Sequence, residues 1–269
     1  MLNRLNLDGK VVLITGGGTG LGRAMTRALA WAGASLVIAA RREGPIEEAA
    51  QEVRDLGREA LALTADVTNS AQVNQVVAAA LARFGRIDAL VNNAGAVREN
   101  VVKPIWEITD QEWHQVMDVN LTGAFYCARA VAKPMADRGK GKIINVASGF
   151  GLRGGRDIYM YCISKGGMLQ LTRTLSFSLA RYGITANTIV PGYIPTSATD
   201  SDIRESLPRS GAFLPTGKLG RPEDLGPLAV FLASGASDYM TGELFIADGG
   251  GLAGGLAPTG YAPLAELEE

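Results

Sequence analysis

Histidine is almost absent from this 269-residue sequence, in which His114 is the only one. A single histidine excludes a metal site built from several histidines, and we expect no bound metal. It also leaves any Ser-His-Asp triad dependent on His114, which shares the polar face of its predicted helix with Asp110 and Asp118. Proton transfer is therefore expected from a tyrosine, a lysine or a carboxylate.

Cysteine, excess charge and long apolar runs are scarce as well. Cys127 and Cys162 have no paired spacing, which argues against a disulfide scaffold and fits the reducing cytoplasm. The net charge of -1 lacks the basic surplus that is typical of nucleic-acid binding. The first ten residues lack a signal-peptide pattern, and no window approaches the roughly 18 apolar residues of a membrane span. We expect a cytoplasmic protein with no nucleic-acid or membrane partner.

Short apolar runs alternate with longer helical patterns along the chain. Several runs are apolar throughout, as strands covered on both faces require. The alternation predicts an α/β fold, a single-domain Rossmann fold over 1–269 whose doubly wound, seven-stranded parallel sheet has helices on both faces. The predicted strands are 10–15, 35–40, 60–65, 89–92, 142–146, 185–190 and 243–246, and the predicted helices are 21–32, 45–56, 70–84, 110–138, 159–182 and 222–233.

Two regions depart from this rhythm. Residues 193–220 contain Pro, Ser and Gly with weak periodicity, and a segment of this length is typical of a substrate-binding lid. Residues 249–269 form a Gly- and Ala-rich C-terminal tail with no clear pattern. Terminal segments of this kind are often mobile.

Glycine, in contrast, is abundant, and it is concentrated where the first predicted strand meets the first helix. The turn contains Gly16, Thr19, Gly20, Leu21 and Gly22. Glycines let such a turn tighten around a pyrophosphate, and the helix N-terminus then presents free N–H groups to the phosphates. The alternative is an ordinary tight turn, which favours glycine for steric reasons alone. A P-loop is excluded, because no Gly-Lys-[Ser/Thr] follows.

The end of the second predicted strand bears on the choice of cofactor. A carboxylate there binds the ribose hydroxyls of NAD, whereas a cation favours the 2′-phosphate of NADP. This chain has Ala40 followed by Arg41 and Arg42, so NADP(H) is favoured over NAD(H). Alternatively, both arginines are simply solvated on a loop.

Tyr161 and Lys165 lie four residues apart, on one face of a predicted helix. A tyrosine pKa of ~10 must fall by ~3 units for the phenol to act as a base at neutral pH, and a nearby cation supplies part of that change. Tyr161 then donates a proton to a carbonyl on reduction and accepts one from an alcohol on oxidation. An ordinary helix with an extended lysine is the alternative.

Ser148 and Asn120 complete the candidate catalytic set. Ser148 follows the strand 142–146, where its hydroxyl can hydrogen-bond a substrate carbonyl or merely cap a turn. Asn120 interrupts an otherwise apolar helical stripe. Its amide either holds a water that relays protons to Lys165 or makes an internal hydrogen bond that fixes the helix.

In order and spacing, these motifs resemble the short-chain dehydrogenase/reductase family over residues 5–252. The resemblance implies a catalytic tetrad of Asn120, Ser148, Tyr161 and Lys165. It implies an adenine contact at Asp66 and Val67, a cofactor-lining Asn-Asn-Ala-Gly signature ending in Asn93, Ala94 and Gly95, and a nicotinamide-binding segment with Pro191, Gly192, Ile194 and Thr196. It also implies a homodimer or homotetramer formed through the helices 110–138 and 159–182.

The family resemblance leaves the substrate open. Residues 92–100 and 219–224 resemble both 3-oxoacyl-carrier-protein reductases and sugar or polyol dehydrogenases. Arg98, Arg153 and Arg156 either favour an anionic or polyhydroxy substrate at the cleft mouth or are scattered surface charges. We expect an NAD(P)-dependent oxidoreductase that interconverts a small-molecule carbonyl and a secondary alcohol. The rival from another class is a non-catalytic NADP(H)-binding regulatory protein.

The basic cluster Arg138, Lys140 and Lys142 has two interpretations. It either docks an acidic carrier protein or is a solvated loop.

Overall fold

Seven parallel strands form one sheet in the computed structural model, which describes residues 2–96, 103–196 and 214–254. The strands are β1 Val11–Thr15, β2 Ser35–Ala40, β3 Ala60–Thr64, β4 Ala89–Asn92, β5 Gly141–Val146, β6 Ile184–Pro191 and β7 Leu244–Ala247. Their order across the sheet is β3-β2-β1-β4-β5-β6-β7. The predicted fold class is confirmed, with strand boundaries within one residue of the predicted ones.

The helices are α1 Gly20–Trp31, α2 Glu43–Asp55, α3 Ser70–Phe84, α4 Asp110–Met117, α5 Gly123–Asp137, α6 Tyr159–Leu179 and α7 Gly226–Ala233. The single predicted helix 110–138 was wrong in one respect. A π-helical segment, Asp118–Thr122, separates α4 from α5. Such insertions widen one helical turn and often occur at functional sites.

Strand β1 shows why the apolar runs do not alternate. Val12 and Ile14 pack on the face covered by α1, α2 and α7. Val11 and Leu13 point to the opposite face, which α3 and α5 cover. Because successive side chains of a strand point to opposite faces, a strand between two helical layers carries apolar residues at successive positions.

The strand order fixes the position of the functional crevice. After β1 the chain proceeds towards β3 on one side, and from β4 it proceeds towards β7 on the other. Ligands of such sheets bind outside the carboxyl ends of the strands at this switch point. The segments that follow β1 and β4 are therefore adjacent, and both carry predicted site residues.

Part of the predicted lid and tail lies outside the described residues. Of the predicted lid 193–220, residues 197–213 are outside, as are residues 255–269 of the tail and Arg98. Within the described ranges, no helix has the length and apolar character needed to cross a membrane. No cluster of three or more His, Cys, Asp or Glu side chains suited to a metal ion occurs there either.

Candidate active site

The glycine turn between β1 and α1 has no room for a side chain at Gly17, Gly18 or Gly22. Gly16 and Gly20 have φ values of +66° and +52°, a backbone conformation that favours glycine. A Cβ on Gly22 would lie 2.1 Å from the carbonyl oxygen of Gly16. Thr19 has extended backbone directly before α1, and its side chain caps no helix N–H. The first turn of α1 therefore keeps its N–H groups available to an anion, as a pyrophosphate requires.

Asn93 links this turn to the end of β4. Its Nδ2 donates to the carbonyl oxygens of Thr15 and Gly16, both at 3.1 Å. The Thr15 hydroxyl in turn accepts the backbone N–H groups of Asn93 and Ala94. These four bonds span the switch point of the sheet and hold the glycine turn in place.

The segment after β6 reaches the same turn. A Cβ on Gly20 would lie 3.2 Å from Cγ2 of Thr196, so these residues are close neighbours. The Gly192 N–H donates to the Ala247 carbonyl at 3.0 Å, and Pro191 is the last residue of β6. Ile194 packs against the same core cluster as the half-buried Leu21. Thr196 therefore lies beside the glycine turn, and Pro191 and Gly192 lie at the carboxyl end of β6, on the same segment.

Arg41 and Arg42 are exposed immediately after β2. In the described part of the chain neither takes part in an ion pair or a side-chain hydrogen bond. Both guanidinium groups are therefore available to a phosphate.

The predicted adenine contact lies after β3. The Asp66 carboxylate accepts the N–H and the hydroxyl of Thr68, both at 2.9 Å. Val67 is buried, and its side chain occupies the space beside Gly123. These contacts hold the segment after β3 in a fixed turn.

Lys165 is buried without a carboxylate partner among the described residues. Its ammonium donates to the Val146 carbonyl at 2.9 Å and lies 3.7 Å from Sδ of Met168. Burial lowers the pKa of Lys165 to about 8, because the charged form loses its hydration. A Cβ on Gly95 would lie 3.7 Å from Nζ of Lys165, which places the end of the Asn-Asn-Ala-Gly segment beside this cation.

Tyr161 lies one turn from Lys165 on α6. Nζ of Lys165 is 5.8 Å from the centroid of the Tyr161 ring. The Phe150 ring also meets Tyr161 edge to face, with centroids 6.2 Å apart. The Tyr161 ring thus has a buried cation and an aromatic ring as neighbours.

Asn120 is fully buried in the π-helical segment. Its Oδ1 accepts the Ala96 N–H at 2.7 Å, and its Nδ2 donates to the Ala96 carbonyl and to Oγ of Ser164. All the donors of the amide are engaged by protein. The geometry of the side chain fits the internal hydrogen bond that was one of the two interpretations of Asn120.

Ser148 lines a cleft together with Phe150, the ring that contacts Tyr161. Its Oγ accepts the Phe150 N–H at 3.3 Å and caps a short 3-10 helix, Gly149–Gly151. The cleft is lined by Ser148, Phe150, Arg153, Tyr193, Leu214 and Leu252, among others. Tyr193 and Leu214 belong to the predicted lid, and Leu252 belongs to the predicted tail. Arg156 is exposed and does not line the cleft, and His114 is exposed on α4.

Sequence reasoning missed two features of this region. A buried polar chain joins Asn92, Asn145, Thr172 and Thr188 through hydrogen bonds of 2.9, 2.8 and 2.6 Å, and it ties α6 to β4, β5 and β6. Asparagines that interrupt apolar strands were the available signal. The carboxylate of Asp248 accepts the N–H groups of Gly250 and Leu252, which turns the start of the tail into the cleft. No sequence pattern indicated this turn.

Comparison with known proteins agrees with this geometry. The short chain dehydrogenase family model matches residues 10–206. The chain is 40% identical over 258 residues to the 2-dehydro-3-deoxy-D-gluconate 5-dehydrogenase of Escherichia coli, covering 94% of this chain and 99% of that protein. It is 36% identical over 246 residues to the 3-oxoacyl-[acyl-carrier-protein] reductase of a Synechocystis species, covering 91% and 97%.

A solved structure shows the same likeness. The gluconate 5-dehydrogenase from Burkholderia cenocepacia, in complex with NADP and tartrate, matches with a TM-score of 0.85 and 39% identity over 94% of this chain and 98% of that one. This chain therefore belongs to the short-chain dehydrogenase/reductase family, as an oxidoreductase that acts on CH–OH and C=O groups with a nicotinamide cofactor.

Proposed function

We propose that this protein is an NADP(H)-linked carbonyl reductase and secondary-alcohol dehydrogenase of small polyhydroxy substrates, with Tyr161 as the general acid and base. The observation that carries the proposal is the placement of Tyr161 beside the buried ammonium of Lys165 and against Phe150, a ring that lines a cleft together with Ser148. A proton donor, a nearby cation and a hydroxyl are the groups that carbonyl reduction requires.

The chain's residues divide the chemistry between them. Ser148 hydrogen-bonds the substrate oxygen, and Tyr161 donates a proton to that oxygen on reduction or removes one on oxidation. The Lys165 cation favours the ionised phenol and thereby makes Tyr161 a usable base near neutral pH. Asn120 acts as a positioning residue, because its amide holds Ala96 and Ser164 around this group. The nicotinamide, when bound, supplies or accepts the hydride.

The nucleotide fits the glycine turn and the two exposed arginines. The close approach of Gly22 to Gly16 keeps the turn tight, and Thr19 leaves the first N–H groups of α1 uncapped. We assign the pyrophosphate to Gly16, Thr19, Gly20, Leu21 and Gly22. Asp66, Val67 and the residues 93–95 are assigned to the adenosine side and the cofactor wall, and the 191–196 segment to the nicotinamide.

NADP(H) is proposed over NAD(H) because Arg41 and Arg42 have no ion-pair partner in the described ranges and directly follow β2, where a cation favours a 2′-phosphate. No acidic side chain occupies the end of β2 to repel that phosphate.

A polyhydroxy substrate is proposed over an acyl carrier thioester for a structural reason. Lys142 is buried and pairs with Asp238 at 2.8 Å, and Lys140 and Arg138 are engaged by Asp238 and Asp88. This basic cluster lies at the amino ends of the strands, at the opposite end of the sheet from Tyr161. It is therefore a poor docking site for a carrier that delivers substrate to the cleft.

A homodimer or homotetramer is proposed from the outer faces of α5 and α6. Phe125, Ile163 and Phe177 are exposed there, with Phe177 91% accessible. Large exposed apolar side chains on adjacent helices favour burial in an interface. Analytical ultracentrifugation tests the assembly, and a monomer at micromolar concentration contradicts it.

The reducing cytoplasm is the proposed location, since both cysteines are free thiols.

The direct test of function is a panel of sugars, polyols, 3-oxoacyl thioesters and hydroxysteroids assayed with NADPH or NADP⁺ and with NADH or NAD⁺. We expect turnover of a polyhydroxy compound with a preference for the phosphorylated cofactor. A preference for thioesters overturns the proposed substrate class. Tight NADPH binding with no turnover on any member of the panel favours the regulatory protein instead.

A further inference from the structure

Arg153 is the one cation among the described residues that line the cleft. Arg153 is half-buried, and its guanidinium carbon lies 4.5 Å from the centroid of the Phe150 ring. Its Nη2 donates to the Tyr193 hydroxyl at 3.4 Å. The Phe150 ring also contacts Tyr161, so a single aromatic ring separates this guanidinium from the phenol.

No carboxylate neutralises Arg153 in the described part of the chain. The other charged side chain of the cleft lining is Asp248, whose two oxygens accept the N–H groups of Gly250 and Leu252. Arg153 is absent from the ion pairs of the described residues, unlike Arg23, Arg54 and Arg86. A guanidinium that is stacked and oriented but unpaired, facing a cleft, is available to an anionic ligand.

The remaining donors of Arg153 suit a carboxylate. A guanidinium has five N–H donors in a fixed fork, of which the Tyr193 hydroxyl takes one, and the fork matches the two oxygens of a carboxylate. Phe150, Leu214 and Leu252 give the cleft apolar walls, which strengthen a charge-charge contact relative to open water. The nearby negative charge of Asp248 disfavours a doubly charged phosphate.

We propose that Arg153 binds a carboxylate of the substrate, several bonds away from the carbon that reacts at Tyr161, so that the enzyme acts on sugar acids. This inference rests on the proposed function, and it narrows the polyhydroxy class to compounds with one carboxylate. Tyr193 and Phe150 orient the guanidinium, and Tyr161 and Ser148 act at the other end of the same substrate.

The experiment compares an aldonic acid with its uncharged polyol. Gluconate and glucitol are oxidised with NADP⁺ by the wild-type protein, Arg153→Gln, Arg153→Lys and the control Arg156→Gln, which alters an exposed arginine outside the cleft. We expect the ratio of kcat/KM for gluconate over glucitol to fall about 10- to 100-fold in Arg153→Gln, chiefly through KM. The ratio for Arg153→Lys lies between those of the wild type and Arg153→Gln, because lysine keeps the charge but lacks the planar set of guanidinium donors. Arg156→Gln leaves the ratio unchanged.

If activity on both substrates falls equally, the ratio stays constant and the proposal is overturned, because Arg153 then only supports Phe150. A wild-type preference for glucitol overturns it as well.

A second measurement does not depend on turnover. Calorimetry of gluconate binding to the NADPH-loaded protein, in which the alcohol has no hydride acceptor, reports the carboxylate site directly. We expect Arg153→Gln to weaken gluconate binding at least tenfold, and equal binding, or none by the wild type, overturns the proposal. If no compound is turned over at all, the proposed function fails, whereas the calorimetry still decides whether Arg153 binds carboxylates.

Discussion

The amide of Asn120 holds the backbone of Ala96 at both of its polar atoms, accepting its N–H at 2.7 Å and donating to its carbonyl at 3.1 Å. The same amide donates to Oγ of Ser164, whose hydroxyl donates to the Tyr161 carbonyl at 2.9 Å. One buried side chain therefore joins the segment after β4 to the first turn of α6. The proposed general acid and the cofactor wall are positioned through it.

Asn120→Ala is expected to lower the free energy of unfolding by about 1–3 kcal/mol, because it leaves the backbone groups of Ala96 without their partner. It also lowers kcat, since Tyr161 loses its support. Ser164→Ala, which keeps the Ala96 bonds, is the matched control. Urea denaturation followed by circular dichroism measures the free energy of unfolding of both variants. Equal losses of that free energy in the two variants contradict the role given to the Ala96 contact.

Gly22→Ala tests the pyrophosphate cradle. The added Cβ lies 2.1 Å from the Gly16 oxygen, so the turn must open. We expect a stability loss of about 1–3 kcal/mol and at least a tenfold rise in the Kd for NADPH. Gly44→Ala is the control, because a Cβ at Gly44 meets nothing within 4 Å. Fluorescence titration with NADPH measures the affinity, and an unchanged Kd for Gly22→Ala contradicts the cradle.

The double variant Arg41→Gln/Arg42→Gln tests the cofactor preference. Loss of two unpaired guanidinium groups is expected to raise the Kd for NADPH about 10- to 100-fold, and to leave the Kd for NADH within about twofold. NADH serves as the internal control, since it lacks the 2′-phosphate. Equal weakening of both cofactors rules out selective phosphate binding by these arginines.

The sheet could be predicted because its signal is local. Apolar residues at four consecutive positions of β1, from Val11 to Ile14, require helices on both faces, and this pattern needs no knowledge of distant residues. The Tyr161 and Lys165 pair was similarly predictable, since four residues in a helix place two side chains on one face.

The remaining features depend on contacts between residues far apart in the chain. The π-helical turn at Asn120 accompanies hydrogen bonds to Ala96 and Ser164, and no local propensity specifies it. The inward turn of Leu252 depends on Asp248 in a glycine-rich segment without hydrophobic periodicity. Arg153 and Arg156 could not be distinguished from the sequence. The structure distinguishes them, because the Phe150 ring packs against the guanidinium of Arg153.

Lys165 makes the stability of the nucleotide-free protein depend on pH. Folding lowers the pKa of Lys165 from 10.5 to about 8, so between these values the unfolded chain binds more protons than the folded one. The wild type therefore gains stability with rising pH across this window, by up to about 3 kcal/mol relative to Lys165→Met. Urea denaturation of both proteins from pH 7 to 10.5 measures the difference. A constant difference contradicts the buried, unpaired ammonium.

Tyr161→Phe tests the central claim most directly, because it removes one oxygen and leaves the Phe150 contact in place. The measurement pairs kcat for the best polyhydroxy substrate with the Kd for NADPH, in the wild type and in this variant. We predict that kcat falls at least about 100-fold whereas the Kd for NADPH stays within about twofold. A variant that retains the wild-type kcat contradicts the assignment of Tyr161 as the general acid and base.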